Sequence, residues 1–114
     1  MNRRPKTAFG DYLVSQIKRA DMTQEEFYHA VDIKKPYFYD ILTATPPSKK
    51  VQDKMLSVLE SKTGVDSERR NKFYDLAAQE RKEIPADILK MIGDNPQKYN
   101  EIRGTLANLL ISEG

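Results

Sequence analysis

The 114-residue chain contains no cysteine, only five glycines and a single histidine. Without cysteine, the chain cannot form disulfides, thiolate zinc sites or thiol nucleophiles. The glycines are too scattered for a phosphate-binding loop, and no nucleophile–base pair stands at a recognisable spacing. The histidine, His29, has no second histidine at metal-ligand spacing, so we predict a surface or packing role for it. We therefore expect a protein that is not an enzyme and needs no cofactor.

Long apolar runs are also missing from the sequence. No stretch approaches the roughly 18 apolar residues of a membrane span. The start, MNRRPK, is basic, but Asp11 interrupts the only apolar stretch after it, so no signal-peptide pattern forms. These observations predict a soluble, cytoplasmic protein with about one domain.

Charged residues are abundant but nearly balanced, with 19 Lys and Arg against 17 Asp and Glu and a formal net charge of +2. The basic excess is N-terminal, because residues 1–50 hold nine basic and six acidic side chains, whereas residues 51–114 hold ten and eleven. A mildly basic chain permits a nucleic-acid partner but does not require one.

The apolar spacing predicts helices from end to end and no strand. The start and stop signals place seven helices at about 7–20, 23–31, 35–43, 48–64, 66–81, 85–93 and 96–111. Thr7, Thr23 and Ser48 are the predicted N-caps, Thr23 within a capping box with Glu26, and Gly64 is expected to end its helix as a left-handed cap. The residues expected to face inward in the first three helices are Phe9, Leu13, Ile17, Phe27, Ala30, Val31, Phe38, Ile41 and Leu42.

Only Asp32 and Ile33 separate the second and third helices, and so short a turn is typical of helix-turn-helix geometry. The stretch MTQEEFYHAVDIKKPYFYDI resembles the helix-turn-helix of the phage lambda-repressor and Cro family, also called the XRE family. FGDYLVSQIKR resembles the first helix of that family and PPSKKVQDKMLSVLESKTG its fourth, so the resemblance covers about residues 7–82. The matching positions are Thr23, Gln24, Glu25, Glu26, Phe27, Val31, Ile33, Tyr37, Phe38, Asp40 and Ile41.

The resemblance implies a fold class and a domain organisation. The expected fold is all-α, with a lambda-repressor-like five-helix DNA-binding domain over residues 7–82. A basic arm, residues 1–6, precedes this domain, and a C-terminal helical extension, residues 83–114, follows it. For the basic arm, minor-groove contact and a disordered tail are the two alternatives.

Two positions depart from the family pattern. The family usually has glycine in place of Asp32, because the turn needs a positive φ, which aspartate tolerates at roughly 1 kcal/mol. A small residue usually stands in place of Tyr28, where the two helices cross closely. We therefore expect Tyr28 to tilt toward the surface or to push the helices apart.

The start of the third helix carries an electrostatic conflict. Lys34 and Lys35 stand at a helix N-terminus, where partial positive charge disfavours cations, and no Ser, Thr or Asn caps this end. A phosphate would resolve the conflict, since it accepts from the free N–H groups while the lysines neutralise it. The helical wheel places four residues on the face opposite the core, and this face would lie toward a DNA major groove. They are Pro36, Tyr39, Asp40 and Thr43.

Each candidate contact has a chemical rationale. Lys35 can donate to guanine, and Tyr39 can touch a thymine methyl or donate its hydroxyl, so both are predicted to read bases. Asp40 would be repelled by phosphate and is assigned a local structural role. The resemblance implies backbone phosphate contacts for Gln24 and Tyr37, with a plain helix start and plain packing as the alternatives.

The fourth helix repeats the conflict, because Lys49 and Lys50 stand in its first turn. They are expected either to grip a flanking phosphate or to remain solvated. The complete set of predicted DNA-binding residues is Gln24, Lys34, Lys35, Pro36, Tyr37, Tyr39, Thr43, Lys49 and Lys50.

The last helix carries an apolar stripe with coiled-coil spacing but only two heptads long. Two interpretations stay open: the stripe packs on the protein's own fifth and sixth helices, or it forms a two-fold homodimer contact. Dimerisation would place two recognition helices one DNA turn apart on a palindrome. The residues of the stripe are Tyr99, Ile102, Leu106, Leu109 and Glu113, with Leu110 alongside.

Taken together, the patterns favour a sequence-specific DNA-binding transcriptional regulator, of repressor type, that inserts its third helix into the major groove of double-stranded DNA. The alternative is a helix-turn-helix fold used for protein contact, as an antirepressor, antitoxin or regulatory adaptor. Tyr28, Asp32 and the aromatic residues 37–39 favour the protein-contact alternative, whereas Gln24 and the lysines favour DNA.

Overall fold

A computed structural model describes residues 5–112, and every regular element in this range is helical. The predicted all-α class is thus confirmed. The last α-helix begins at Tyr99 rather than at Pro96, because Pro96 opens a short 3-10 turn instead. The elements are α1 (Ala8–Arg19), α2 (Gln24–Val31), α3 (Lys35–Thr43), α4 (Lys49–Thr63), α5 (Ser67–Arg81), α6 (Ala86–Gly93), the 3-10 turn (Pro96–Lys98) and α7 (Tyr99–Ser112).

Local capping explains why the helices begin where they do. The Thr7 hydroxyl accepts from the Gly10 N–H at 2.9 Å, and the Asp66 carboxylate accepts from the Arg69 N–H at 3.2 Å. Each cap satisfies a backbone donor that has no intrahelical acceptor. The caps predicted at Thr7, Thr23 and Ser48 are all confirmed.

The end of α4 differs from its prediction. Gly64 has φ 86° and ψ 171°, so its φ is positive but its backbone is not in the left-handed helical conformation. The prediction of a left-handed cap is therefore wrong. The buried guanidinium of Arg69 donates to the Gly64 carbonyl at 2.6 Å and to the Thr63 hydroxyl, so a side chain from α5 binds the end of α4.

The core lies among α1–α5 and is organised around four fully buried phenylalanines. Phe9 of α1 meets Phe73 of α5 edge to face at 5.2 Å between ring centroids, and Phe27 of α2 meets Phe38 of α3 at 6.2 Å. These pairs hold α3 against α2 and hold α1 against α5. The inward residues predicted in α1–α3 are buried except Ala30, which is exposed, so that prediction is wrong for Ala30.

The tight turn between α2 and α3 accommodates both departures from the family pattern. Asp32 adopts the left-handed conformation, with φ 66° and ψ 46°, and its N–H donates to the His29 carbonyl at 3.1 Å. Tyr28 is only 9% exposed, and its ring centroid lies 5.4 Å from that of Phe38. The expectation that Tyr28 tilts toward the surface is therefore wrong, because its ring fills the space between the two helices.

The N-terminus of α1 lies directly against the C-terminal end of α3. The Leu42 carbonyl accepts from the Thr7 N–H at 3.0 Å. A Cβ placed on Gly10 would overlap the Leu42 carbonyl oxygen and lie 2.8 Å from its carbon. Glycine at this position is therefore what allows the two helices to approach so closely, and the contact fixes the position of α3.

The C-terminal extension packs much less tightly than α1–α5. α6 lies against α5, whereas α7 packs mainly on the 3-10 turn that precedes it. The radius of gyration is 16.3 Å, against roughly 13 Å for a compact domain of about 100 residues. The interpretation that α7 packs its stripe on the fifth and sixth helices is wrong for the described residues, since most of the stripe is exposed. Glu113, the last position of the predicted stripe, lies outside those residues.

No helix between residues 5 and 112 combines the length and the apolar character that crossing a membrane requires.

Candidate nucleic-acid interface

The two faces of α3 are cleanly divided between core and solvent. Phe38, Ile41 and Leu42 are at most 1% exposed and anchor the helix. Tyr37 and Tyr39 are 41% and 45% exposed. The predicted division of α3 is thus confirmed except at Thr43, which was predicted on the outward face but is half-buried. The remaining residues that the structure leaves exposed on this helix are Lys35, Pro36 and Asp40.

The N-terminus of α3 has no side-chain cap. Lys34 is the N-cap residue, with extended backbone, and it makes no capping hydrogen bond. Pro36 in the first turn lacks an N–H and fits a position where no intrahelical acceptor is available. The N–H groups of the first turn and the helix dipole therefore present partial positive charge beside Lys34 and Lys35.

Lys35 and Tyr39, one helical turn apart, form a pair on the outward face. The Lys35 Nζ lies 5.9 Å from the centroid of the Tyr39 ring. This contact is a cation–π interaction at the edge of its usual distance range, and it offsets part of the unfavourable interaction between Lys35 and the helix dipole. The pair therefore presents an ammonium group and a phenol side by side.

Thr43, at the C-terminal end of α3, is placed differently from the other predicted contacts. Its side chain is half-buried, and its hydroxyl donates to the Tyr39 carbonyl at 2.9 Å. The proton of Thr43 is therefore used within the helix, which leaves only its oxygen lone pairs and methyl group for an external partner.

The N-terminus of α2 contrasts with that of α3, because it has a complete capping box. The Thr23 hydroxyl accepts from the Glu26 N–H at 3.0 Å, and the Glu26 carboxylate accepts from the Thr23 N–H at 2.8 Å. The Thr23 backbone N–H, and then its hydroxyl, hold the pKa of Glu26 below its ordinary value. Gln24, half-buried at the first position of α2, can offer its side-chain amide to a phosphate.

The capping box makes a testable prediction about stability. Thr23→Ala should lower the free energy of unfolding by about 1 kcal/mol at neutral pH. Because the folded-state pKa of Glu26 is lowered, the carboxylate stabilises the fold above the ordinary glutamate value of 4.5, and this contribution is lost as the pH falls through the folded-state pKa. Glu26→Gln mimics the protonated side chain, so thermal melts of wild type and Glu26→Gln should differ at neutral pH and converge on acidification.

Ser48→Ala provides the control, because Ser48 caps α4 without a carboxylate three residues on. The difference between wild type and Ser48→Ala should not depend on Glu26 and should hold across the same pH range. A Glu26→Gln difference that stays constant down to acidic pH would show that Glu26 does not contribute through its charge.

The loop that leads from α3 to α4 is held by one long-range and one local side-chain hydrogen bond. Arg81 at the end of α5 donates to the Pro46 carbonyl at 3.1 Å, and the buried Gln52 side chain donates to the Pro47 carbonyl at 2.8 Å. These contacts fix the start of α4, where two lysines, at positions 49 and 50, are exposed in the first turn.

The four candidate lysines, at the starts of α3 and α4, share one electrostatic property. Within residues 5–112, none of them forms an ion pair with an acidic side chain. Four other basic side chains in this range form ion pairs, among them Lys90–Asp94 at 2.8 Å and Arg70–Glu60 at 2.7 Å, whereas Lys54 and Lys62, for example, do not. The candidate interface in this part of the chain therefore consists of unneutralised cations beside helix N-termini.

A polar groove on α4, α5 and α6 offers a comparison with this surface. Its walls include Asp53, Glu60, Arg70, Tyr74 and Lys90. The Tyr74 hydroxyl donates to Asp53 at 2.7 Å, and burial together with this hydrogen bond raises the pKa of Tyr74. Because its polar groups are paired with one another, the groove is best explained as a structural contact between helices.

Two further predicted residues, Lys6 and His29, are both exposed. Lys6 of the basic arm is exposed, whereas residues 1–4 lie outside the described range. His29 is exposed on α2, and within residues 5–112 no group of three or more His, Cys, Asp or Glu side chains is arranged to hold a metal. Gly10, which the sequence reasoning missed, fixes the position of α3; a glycine inside an otherwise apolar helical pattern was the available signal.

Comparison of the chain with known proteins found no matching family model, no matching curated protein and no matching solved structure.

Proposed function

We propose that the protein is a DNA-binding transcriptional regulator with a lambda-repressor-like helix-turn-helix, and that it represses by occupying an operator. The single observation that carries this proposal is the outward face of α3. That face combines an uncapped helix N-terminus, two lysines without an ion pair in residues 5–112, and two exposed tyrosines on a helix whose other face is fully buried. The tight α2–α3 turn through Asp32 is also typical of a helix-turn-helix, a motif that places its second helix in the major groove.

The physical basis of the proposal is the concentration of positive charge at the start of α3. An uncapped helix N-terminus beside two lysines is electrostatically unfavourable in the free protein. A DNA phosphate would accept from the N–H groups of the first turn and would neutralise Lys34 at the same time. The start of α4, with Lys49 and Lys50, would bind a flanking phosphate in the same way.

The proposed roles follow from the chemistry of each side chain. Lys35 and Tyr39 would read base edges, Lys35 by donating to guanine and Tyr39 through its ring or hydroxyl. Tyr37 and Gln24 would donate to backbone phosphates, which position the protein without reading sequence. The remaining outward residues of α3, at positions 36 and 43, would complete this face by shape and apolar contact.

A second candidate function is supported by the exposed aromatics. Tyr37 and Tyr39 are each more than 40% exposed, and tyrosine is enriched in protein–protein interfaces. The alternative is therefore a protein-contact module, acting as an antirepressor, antitoxin or regulatory adaptor, that uses the same face of α3. The two functions differ in salt dependence, because only DNA binding releases counterions from a phosphate backbone.

The test of the proposed function is the affinity for duplex DNA as a function of salt. The protein should bind labelled genomic or random duplexes at about 50 mM salt, with a slope of log affinity against log salt of about −4 to −7. Lys50→Ala should make that slope shallower by about one unit. Fluorescence anisotropy titrations at several salt concentrations measure both quantities.

Lys90→Ala is the matched control, since it removes the same charge from a lysine that is paired with Asp94 on α6. Its slope should equal that of the wild type. No binding to any duplex at about 50 mM salt, or equal slopes for Lys50→Ala and wild type, would contradict the proposal.

A further inference from the structure

The apolar stripe of α7 is exposed in the folded chain. Tyr99 is 41%, Leu106 44% and Leu109 56% exposed, and Leu110 beside them is 68% exposed. Ile102 is half-buried. A row of large apolar side chains on one face of a helix, rimmed by polar ones, is the pattern of an interaction surface rather than of a solvated helix.

α7 also lacks intrinsic reasons to be stable by itself. It has 14 residues, close to the length below which isolated helices are marginal in water. Gly104 lies at its middle, where glycine disfavours helix, and a Cβ there would meet nothing within 4 Å. Packing against a partner would therefore add stability that α7 lacks by itself.

The spacing of the stripe matches a copy of itself. Tyr99, Ile102, Leu106 and Leu109 are separated by three, four and three positions, and this order reads the same in both directions. In an antiparallel pair centred near Gly104, Ile102 therefore faces Leu106 of the other copy, and Tyr99 faces Leu109. Two-fold contacts require this kind of self-complementarity.

Charge and shape favour the same arrangement. Over Tyr99–Ser112, α7 carries one acidic and one basic side chain, Glu101 and Arg103, so two copies meet without net repulsion. The molecule measures 49 × 32 × 21 Å, whereas packed helices lie about 8–10 Å apart. A parallel pair would place the α1–α5 regions of both copies at the same end of the α7–α7 contact, whereas an antiparallel pair places them at opposite ends.

We infer that the protein forms a two-fold homodimer through an antiparallel α7–α7 contact in which Ile102 of each copy packs on Leu106 of the other. The contact spans only the two heptads of α7, too few for a coiled coil that is stable by itself, so the dimer should dissociate on dilution. This inference concerns the free protein and does not rest on DNA binding.

The test uses charges placed at the two facing positions. Leu106→Asp and Ile102→Lys should each convert the dimer into a folded monomer, because each buries an unpaired charge in the seam. Mixing the two variants should restore dimers, since the introduced carboxylate of one chain then faces the introduced ammonium group of the other. Sedimentation velocity measures the association, and circular dichroism reports the folding of each variant.

Two controls test the register of the α7–α7 pair and the face of α7 that forms it. A mixture of Leu106→Asp with Ile102→Asp should stay monomeric, because the facing charges then repel. Ile111→Asp places the same charge on the opposite face of α7 and should leave the dimer intact. A wild type that is monomeric at its highest soluble concentration, a dimeric Leu106→Asp, or a charge-swapped mixture without recovery would overturn the inference.

A cysteine cross-link keeps the inference testable even if a charged variant unfolds. The chain has no cysteine, so added thiols react only with each other. Mild oxidation of an Ile102→Cys and Leu106→Cys mixture should give cross-linked heterodimers in preference to either homodimer. Preferential cross-linking of Leu106→Cys with itself would indicate a parallel pair and would overturn the antiparallel register.

Discussion

Replacing Gly10 by alanine should destabilise the protein strongly. The new Cβ would overlap the Leu42 carbonyl oxygen and lie 2.8 Å and 2.9 Å from the carbonyl carbon and Cα of that residue. These atoms are backbone, so relief requires α1 to move away from α3 rather than a side chain to rotate. We expect a loss of about 3 kcal/mol in the free energy of unfolding and a thermal midpoint lower by roughly 10 °C or more.

The consequence would reach α3, because the same contact holds its C-terminal end. Thr7 donates to the Leu42 carbonyl at 3.0 Å, and displacing α1 would lengthen that hydrogen bond. Gly104→Ala is the matched control, since a Cβ there meets nothing within 4 Å, and it should stabilise the protein by up to about 1 kcal/mol. Equal thermal midpoints for Gly10→Ala and wild type would mean that α1 does not lie against Leu42 as described.

Removing either side chain of the outward pair on α3 should have the largest effect on DNA recognition. Lys35→Ala or Tyr39→Ala should cost about 1–3 kcal/mol of binding free energy on the preferred site and flatten the preference at one or two base positions. Because the Lys35 Nζ lies 5.9 Å from the Tyr39 ring, the two residues are coupled, and the double variant should lose less than the sum of the single losses. Affinities for the site and its single-base variants measure each term.

Gln24→Ala and Lys50→Ala are the matched comparisons, because these residues would contact phosphates alone. Both should weaken binding about equally for all sequences and leave the base preferences unchanged. The four side chains lie at helix ends or on an outward face, so thermal midpoints should hardly move. If the Lys35 and Tyr39 changes leave base preferences unaltered but abolish capture of a protein partner, α3 is a protein-binding face.

The sequence was most informative where structure depends on neighbouring residues. The caps at Thr7, Thr23 and Ser48 each use a donor three residues away, so the pattern that predicts them is visible in four letters. The two faces of α3 follow from equally short spacing. The positive φ of Asp32 was implied instead by the resemblance to a family with glycine at this turn. These features were predicted correctly because no distant partner decides them.

Features that depend on distant partners were not predictable. Gly10 and Leu42 lie 32 positions apart, and only the folded chain shows that the Leu42 backbone leaves no room for a Cβ at position 10. Tyr28 was expected either to tilt toward the surface or to push the helices apart. Its ring is instead buried beside Phe38, which a family pattern of small residues does not reveal. The backbone at Gly64 likewise depends on a guanidinium that enters from α5.

The C-terminal extension shows most clearly what sequence spacing alone cannot predict. The stripe of α7 has the spacing of a buried seam, and the spacing is the same whether the partner belongs to the same chain or to another. Only the exposure of Leu106 and Leu109 in the folded chain separates the two cases.

The measurement that tests the proposed function most directly is selection of bound sites from random duplex DNA by the wild type and by Lys35→Ala in parallel. If α3 reads the major groove, the wild type will enrich a defined motif, and Lys35→Ala will lose information at one or two positions of that motif while keeping the rest. No enriched motif with the wild type, or an identical motif with Lys35→Ala, would contradict the assignment of α3 as the DNA-reading helix.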